Sequence, residues 1–211
     1  MITIGTVKVL GLKDKAPKHF DLDITPVSRD AEWGSLSPFH LGPCRTPDGV
    51  MFYNMENLWQ YSKVYTEHLI NSNDLFHGEI NAGWYAWHLK GSTTKQAHRY
   101  PLGKGRTADF SKWGELRLSY IPARKQIYVP EYAKLVIQQP KFKRLLKEYK
   151  KGAKIVLRDY DTYDIQKAYP DARNPWLTAI ENKNAKFGHA FVIALALMFH
   201  ERPLWYNQWT L

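Results

Sequence analysis

Apolar and polar residues alternate over the first ten positions, with Ile2, Ile4, Val7 and Val9 marking a strand over 2–10. Residues 11–30 are polar and rich in Lys and Asp, and predict a loop with a short strand at Phe20–Ile24. Trp33 to Pro43 is irregular, its aromatic side chains pinned between Gly and Pro. Gly49 to Tyr53 reads as a short strand that feeds a helix over Tyr53–Tyr65. On that helix Met55, Leu58, Trp59, Ser62, Thr66 and Leu69 share a face, and Asn54 is its N-cap. Trp84 to His88 alternates like a strand, although a helix also fits, and Gly91 to Thr94 looks like a flexible turn. Pro130 opens a helix at its first position. Pro140 interrupts it, and a second helix runs Lys141–Lys151 with Phe142, Leu145, Leu146 and Tyr149 on its apolar side. Ile155-Val-Leu is a buried strand, 165–180 a loop, and Glu181–His200 a helix buried along Ala190–Phe199. These elements predict an α+β fold: one mostly helical domain, 1–211, around a small β-sheet, with residues 1–30 as an N-terminal β appendage.

Composition adds a partner class. The chain has 211 residues and a formal charge of +10, with eight Trp and thirteen Tyr. Excess cations favour polyanions such as nucleic acid or nucleotides, and aromatic rings stack on bases. Plain solubility explains the same charge. The single cysteine, Cys44, excludes a disulfide or a thiolate zinc site within one chain and suits a reducing, cytoplasmic setting. The N-terminus lacks a signal-peptide layout, and the longest apolar run, Ala190–Phe199, is too short to span a bilayer, so no membrane association is expected.

Several groups carry candidate chemistry. Glu56, Gln60 and Lys63 line up beside the apolar face of the Tyr53–Tyr65 helix, either as a polar pocket wall or as boundary residues reaching to solvent. Gly103-Lys-Gly-Arg106 makes either a phosphate cradle or a basic turn, and lacks Walker A spacing. Arg117, Arg124 and Lys125 interleave with Tyr120, Tyr128 and Tyr132. Lys141, Lys143, Arg144, Lys147, Lys150 and Lys151 form the densest basic cluster, a nucleic-acid footprint or a solvated face. Asp159, Asp161 and Asp164 leave a strand end together, where carboxylates serve chemistry or a divalent metal, or cap the next turn. No histidine pair has metal-ligand spacing on a helix, so no metal site is expected there.

In order, these pieces resemble the NADAR (YbiA-like) family of N-glycosidases. The resemblance rests on Leu36-Ser-Pro-Phe39, Asp48-Gly49, Met51-Phe-Tyr53, Glu56 with Gln60 and Lys63, Gly105-Arg106, Trp113, Ile155 to Asp164, and Asn184 to Gly188 running on to Leu197-Met198. The final turn lacks the family's Trp-Gly after its aspartate, and residues 71–100 and the basic helix look like divergence, as in a phage-type branch. The resemblance implies hydrolysis of the bond between ribose or ADP-ribose and a base or heterocycle. Glu56 would then be the catalytic carboxylate, assisted by one of Asp159, Asp161 and Asp164. Gln60 and Lys63 would bind sugar or phosphate, Arg106 or Arg124 phosphate, and Trp84 or Trp113 would stack on a base. The mechanism requires no cofactor. Two other readings stand apart from the resemblance: a non-enzymatic DNA- or RNA-binding protein of phage type, resting on charge and aromatics alone, and a metal-dependent phosphodiesterase on the three aspartates. The oligomeric state is not legible.

Overall fold

In the computed structural model, which describes residues 4–70 and 76–209, the N-terminal alternation forms β1, Thr6–Gly11. Residues 2 and 3 of the expected strand lie outside the described residues. The short strand expected at Phe20–Ile24 is β2, Leu22–Ile24. A two-residue hairpin follows, β3 (Cys44–Arg45) against β4 (Met51–Phe52). The central helix, α1, is Met55–Tyr61, shorter than the expected 53–65. Lys63 starts a strand, β5 (Lys63–Val64). Trp84 to His88 lies in α2, Ala82–Thr93, which resolves the helix-or-strand ambiguity as helix. The Asn81 side chain accepts from the Trp84 N–H and caps it.

Three residues of the expected flexible turn, Gly91 to Thr93, are helix, and Thr94 is the extended C-cap. Gly91 serves close approach: a Cβ there would meet Cγ of Tyr61 at 2.1 Å. Strands β6 (Phe110–Trp113) and β7 (Leu116–Leu118) then form a hairpin that extends β5. The helical run after it is α3 (Tyr120–Ala123), a π turn over Arg124–Tyr128, and α4 (Val129–Val136). Pro130 therefore sits inside a run and does not open it. The π turn, in which the Val129 N–H reaches the Arg124 carbonyl, lies directly before the residue that has no N–H to give.

The basic helix is α5, Pro140–Lys150, with Pro140 in its first turn. The buried strand is β8, Lys154–Asp159. Residues 165–180, expected as loop, hold α6 (Ile165–Ala168) and most of α7 (Pro175–Glu181). The last long helix is α8, His189–Met198, a later start than Glu181 because Gly188 caps it in an extended conformation.

Among the described residues helix exceeds strand, and the strands fall into three small sheets, so the fold is α+β. By contacts the chain divides into two units, Met1–Ser37 with Tyr132–Leu211, and Pro38–Glu131. In the first, β8 is the middle strand, parallel to β1 on one edge and to β2 on the other, with Thr6 opposite Lys154 and Leu22 opposite Ile155. The first thirty residues, expected as an appendage, thus supply two of this sheet's three strands. Helix α8 packs on β1 and β8 and is apolar all round, as a buried helix must be. Each of Phe191, Ile193, Leu195 and Leu197 is withdrawn from water, a gain of ~1.5–3 kcal/mol apiece. In the second unit Val64, Leu69, Trp84 and Phe110 form a core cluster beneath β5 and β6.

Candidate functional site

The Asn54 side chain accepts from the Asn57 N–H at 2.8 Å, which fixes the start of α1 and puts Glu56 in its first turn. The Glu56 N–H donates to the Pro38 carbonyl. All seven residues of α1 are buried, including Glu56 and Gln60. Their side chains meet: the Gln60 amide donates to Glu56 Oε1 at 2.9 Å, four residues apart on one face. Lys63 closes the series from the strand that follows, its Nζ donating to Gln60 Oε1 at 2.7 Å. The strip predicted along two turns of helix is real as a hydrogen-bonded chain, but its third member stands on β5. Pairing of Lys63 with Ser111 holds that backbone, and the Trp84 indole N–H donates to the Lys63 carbonyl at 2.9 Å.

Both ends of the Gln60 amide are engaged, so its orientation is set: NH2 toward the carboxylate, carbonyl toward the ammonium. The Lys63 ammonium also lies 5.1 Å from the centre of the Trp59 ring, and Trp59 rests on Tyr128 at 5.3 Å. Burial pushes the Lys63 amine down to about 8, and the Glu56 carboxylate opposes that shift. Near neutral pH the group is therefore a cation poised to lose its proton. Trp59 and Tyr128 were missed as site residues. Part of their signal was present, since Trp59 precedes Lys63 by four positions and follows Glu56 by three.

Arg124 is buried at 1% exposure, with its guanidinium 4.6 Å from the Tyr120 ring. It begins the π turn that Tyr128 ends, an element frequent at functional sites. The other expected binding residues of this unit do not join the chain. Trp84 is buried in the core and stacked on His88 at 4.6 Å, so it has no face for a base. Arg106 is exposed and spent on Glu67, both carboxylate oxygens at 2.6 Å. Its turn has Gly103 and Gly105 at positive φ. Trp113 ends β6, half-buried, opposite Leu116.

In the other unit the three aspartates hold the fold. Asp159 Oδ2 meets His189 Nδ1 at 2.9 Å and its Oδ1 accepts from the Tyr160 N–H. His189 Nε2 faces the Pro26 carbonyl at 2.7 Å. His189 thus bridges Asp159 to the Pro26 carbonyl, with an oxygen beside each ring nitrogen. Tyr132 is fully buried nearby; burial, with the Asp159 charge added, raises its hydroxyl well above the usual value. Asp161 pairs with Lys186 at 2.9 Å. Asp164 caps α6 and pairs with Lys8. Each of the three thus has a structural partner within this unit. Among the described residues no group of three His, Cys, Asp or Glu is placed to hold a metal ion.

The basic cluster divides. Lys141 and Arg144 lie 5.7 and 5.6 Å from the Trp33 ring, Arg144 also pairs with Glu32, and Lys151 pairs with Glu148. Lys143, Lys147 and Lys150 are exposed. No described helix is long and apolar enough to cross a membrane.

No curated protein and no solved structure matches the chain. Residues 6–179 match DUF6939, a family of unknown function, and the chain belongs to that family.

Proposed function

We propose that the protein is a hydrolase that cleaves the N-glycosidic bond between a ribose, as in ADP-ribose, and a base or heterocycle. The observation that carries the reading is the series Glu56–Gln60–Lys63, its first two members buried and its third half-buried, a carboxylate and an amine joined by one oriented amide. The order of motifs shared with the NADAR family supplies the substrate class. In such a reaction the C1–N bond breaks and its electron pair leaves with the nitrogen, which takes up a proton. Water adds at C1 and gives its proton to a base. Positive charge develops on the sugar ring, and a fixed carboxylate stabilises it or receives the water proton. Glu56 is assigned that role. Lys63, partly protonated, and Arg124, always charged, suit the phosphates of a nucleotide-like substrate. The chemistry requires no cofactor. The setting proposed is the cytoplasm, on the strength of the lone buried cysteine.

The test is Glu56→Gln, which keeps the shape and the acceptor for Gln60. Release of free base is measured by chromatography from ADP-ribosylated oligonucleotides and from ribosyl nucleotides. Loss of general acid–base help lowers turnover by about 10²–10⁴-fold. Full turnover by the variant removes Glu56 from the role. Absence of base release by the unaltered protein on every substrate removes the class.

A further inference from the structure

Helix α5 and its C-cap Lys151 carry Lys143, Arg144, Lys147, Lys150 and Lys151 on the outer side, and the contacts sort these five into two sets. At 100° per residue, Lys150, Lys143 and Lys147 fall within an arc of ~60°, opposite the buried Phe142, Leu145 and Tyr149. Lys151 and Arg144 flank that arc on one side, and both have acidic partners. Lys143, Lys147 and Lys150 are exposed and make no ion pair or ring contact among the described residues. The three span seven residues, ~10 Å along the axis, and at ~3.4 Å per nucleotide of one strand that is about three phosphates.

A cavity of about 340 Å³ opens beside Arg144, lined by Asp21, Leu22, Trp33, Arg144, Glu148 and the adjoining Leu145 and Ala153. Its walls combine an indole and leucines with two carboxylates, Asp21, which also accepts from the Lys154 N–H, and Glu148, which also pairs with Lys151; the remaining carboxylate lone pairs suit an exocyclic amino group. A duplex keeps its bases stacked and paired, whereas a single strand can turn one out into a cavity.

We infer that α5 binds a single-stranded nucleic acid, its phosphates on Lys143, Lys147 and Lys150 and one unpaired base in the cavity beside Trp33. Only the charge crest and the adjoining cavity carry the assignment, and both belong to the unit that does not contain Glu56. It stands or falls apart from the hydrolase reading, because the test reads binding and no turnover.

The experiment follows fluorescence anisotropy of a labelled mixed-sequence 12-mer against the full chain between 50 and 300 mM salt. The same 12-mer is compared as a duplex and as an abasic strand of equal length. Phosphatidylserine vesicles and polyaspartate are the other polyanions. The variant is Lys143→Gln/Lys147→Gln/Lys150→Gln, whose folding is checked by thermal melting. The expected result is a single strand bound at least tenfold more tightly than the duplex or the abasic strand. In the triple variant the salt slope falls by about 2, since each phosphate contact on a single strand contributes ~0.7. An unchanged affinity and slope in the folded triple variant overturns the inference. So does equal binding of the abasic strand or duplex, or binding of vesicles or polyaspartate in preference to the oligonucleotide.

Discussion

Lys63 ties stability to pH in a direction opposite to the common one. Its amine is held down to about 8 in the fold, against an ordinary 10.5, because burial penalises the ammonium more than Glu56 favours it. A difference of that size corresponds to about 3 kcal/mol between the two protonation states. Below pH 8 the folded protein carries a buried cation and the cost is present in full. Between pH 8 and 10.5 the folded state has released a proton that the unfolded chain still holds, so stability rises with pH. Above 10.5 both states are neutral and the contribution is flat. Lys63→Met keeps most of the stem and removes the charge. It also removes the bond to Gln60, a loss that shifts the variant at every pH alike. The quantity to read is therefore the difference in unfolding free energy between the two proteins, from urea titrations at pH 7, 8, 9 and 10. It moves in favour of the unaltered protein by about 2.5 kcal/mol from pH 7 to 10. A difference that is flat over that range, or that falls, refutes the account of Lys63 as a desolvated amine.

Two further outcomes follow from burial and close approach. Burial, with the Glu131 charge added, pushes the Cys44 thiol up to about 12. At pH 8 it does not react with Ellman's reagent in the native protein and reacts once in denaturant; stoichiometric reaction in native buffer counts against the buried setting. A Cβ at Gly188 would lie 2.2 Å from Asp159 Oδ2. Gly188→Ala therefore separates Asp159 from His189 and costs about 3–5 kcal/mol, a fall in melting temperature on the order of 10 °C. Gly49→Ala, at positive φ but in open space, is the comparison and costs only about 1–2 kcal/mol of backbone strain, which the extended Gly188 does not bear; a Gly188→Ala loss no larger than that counts against the clash with Asp159.

What the sequence shows is mostly local. Asn54 announces its cap, Pro140 the break before the basic helix, and Ile155-Val-Leu its buried strand, because each signal acts within a few residues. The spacing of Glu56, Gln60 and Lys63 is legible for the same reason. It misplaced Lys63 on the helix, because pairing of Lys63 with Ser111 across β5 and β6 overrides a continued helical period. Gly91 looked like a turn because its purpose, contact with Tyr61, lies thirty residues away in sequence. Pro130 looked like a start because nothing nearby signals a π turn. The aspartates looked catalytic because a strand end is where catalytic groups stand; their partners, His189, Lys186 and Lys8, are too distant in sequence to be read. The basic cluster was visible, but its division was not, since Trp33 and Glu32 reach α5 from over a hundred residues away.

The parallel sheet has a consequence for the newborn chain. Within the sheet β1 and β2 bond to β8 and not to each other. On the ribosome these two strands wait until residues 154–159 have emerged, on the order of ten seconds at bacterial-to-eukaryotic synthesis rates. The unit Pro38–Glu131 is contiguous and complete before then. A chain that stalls between the two events carries two partnerless strands, which makes the interval before β8 the point at which a holdase chaperone has most to protect.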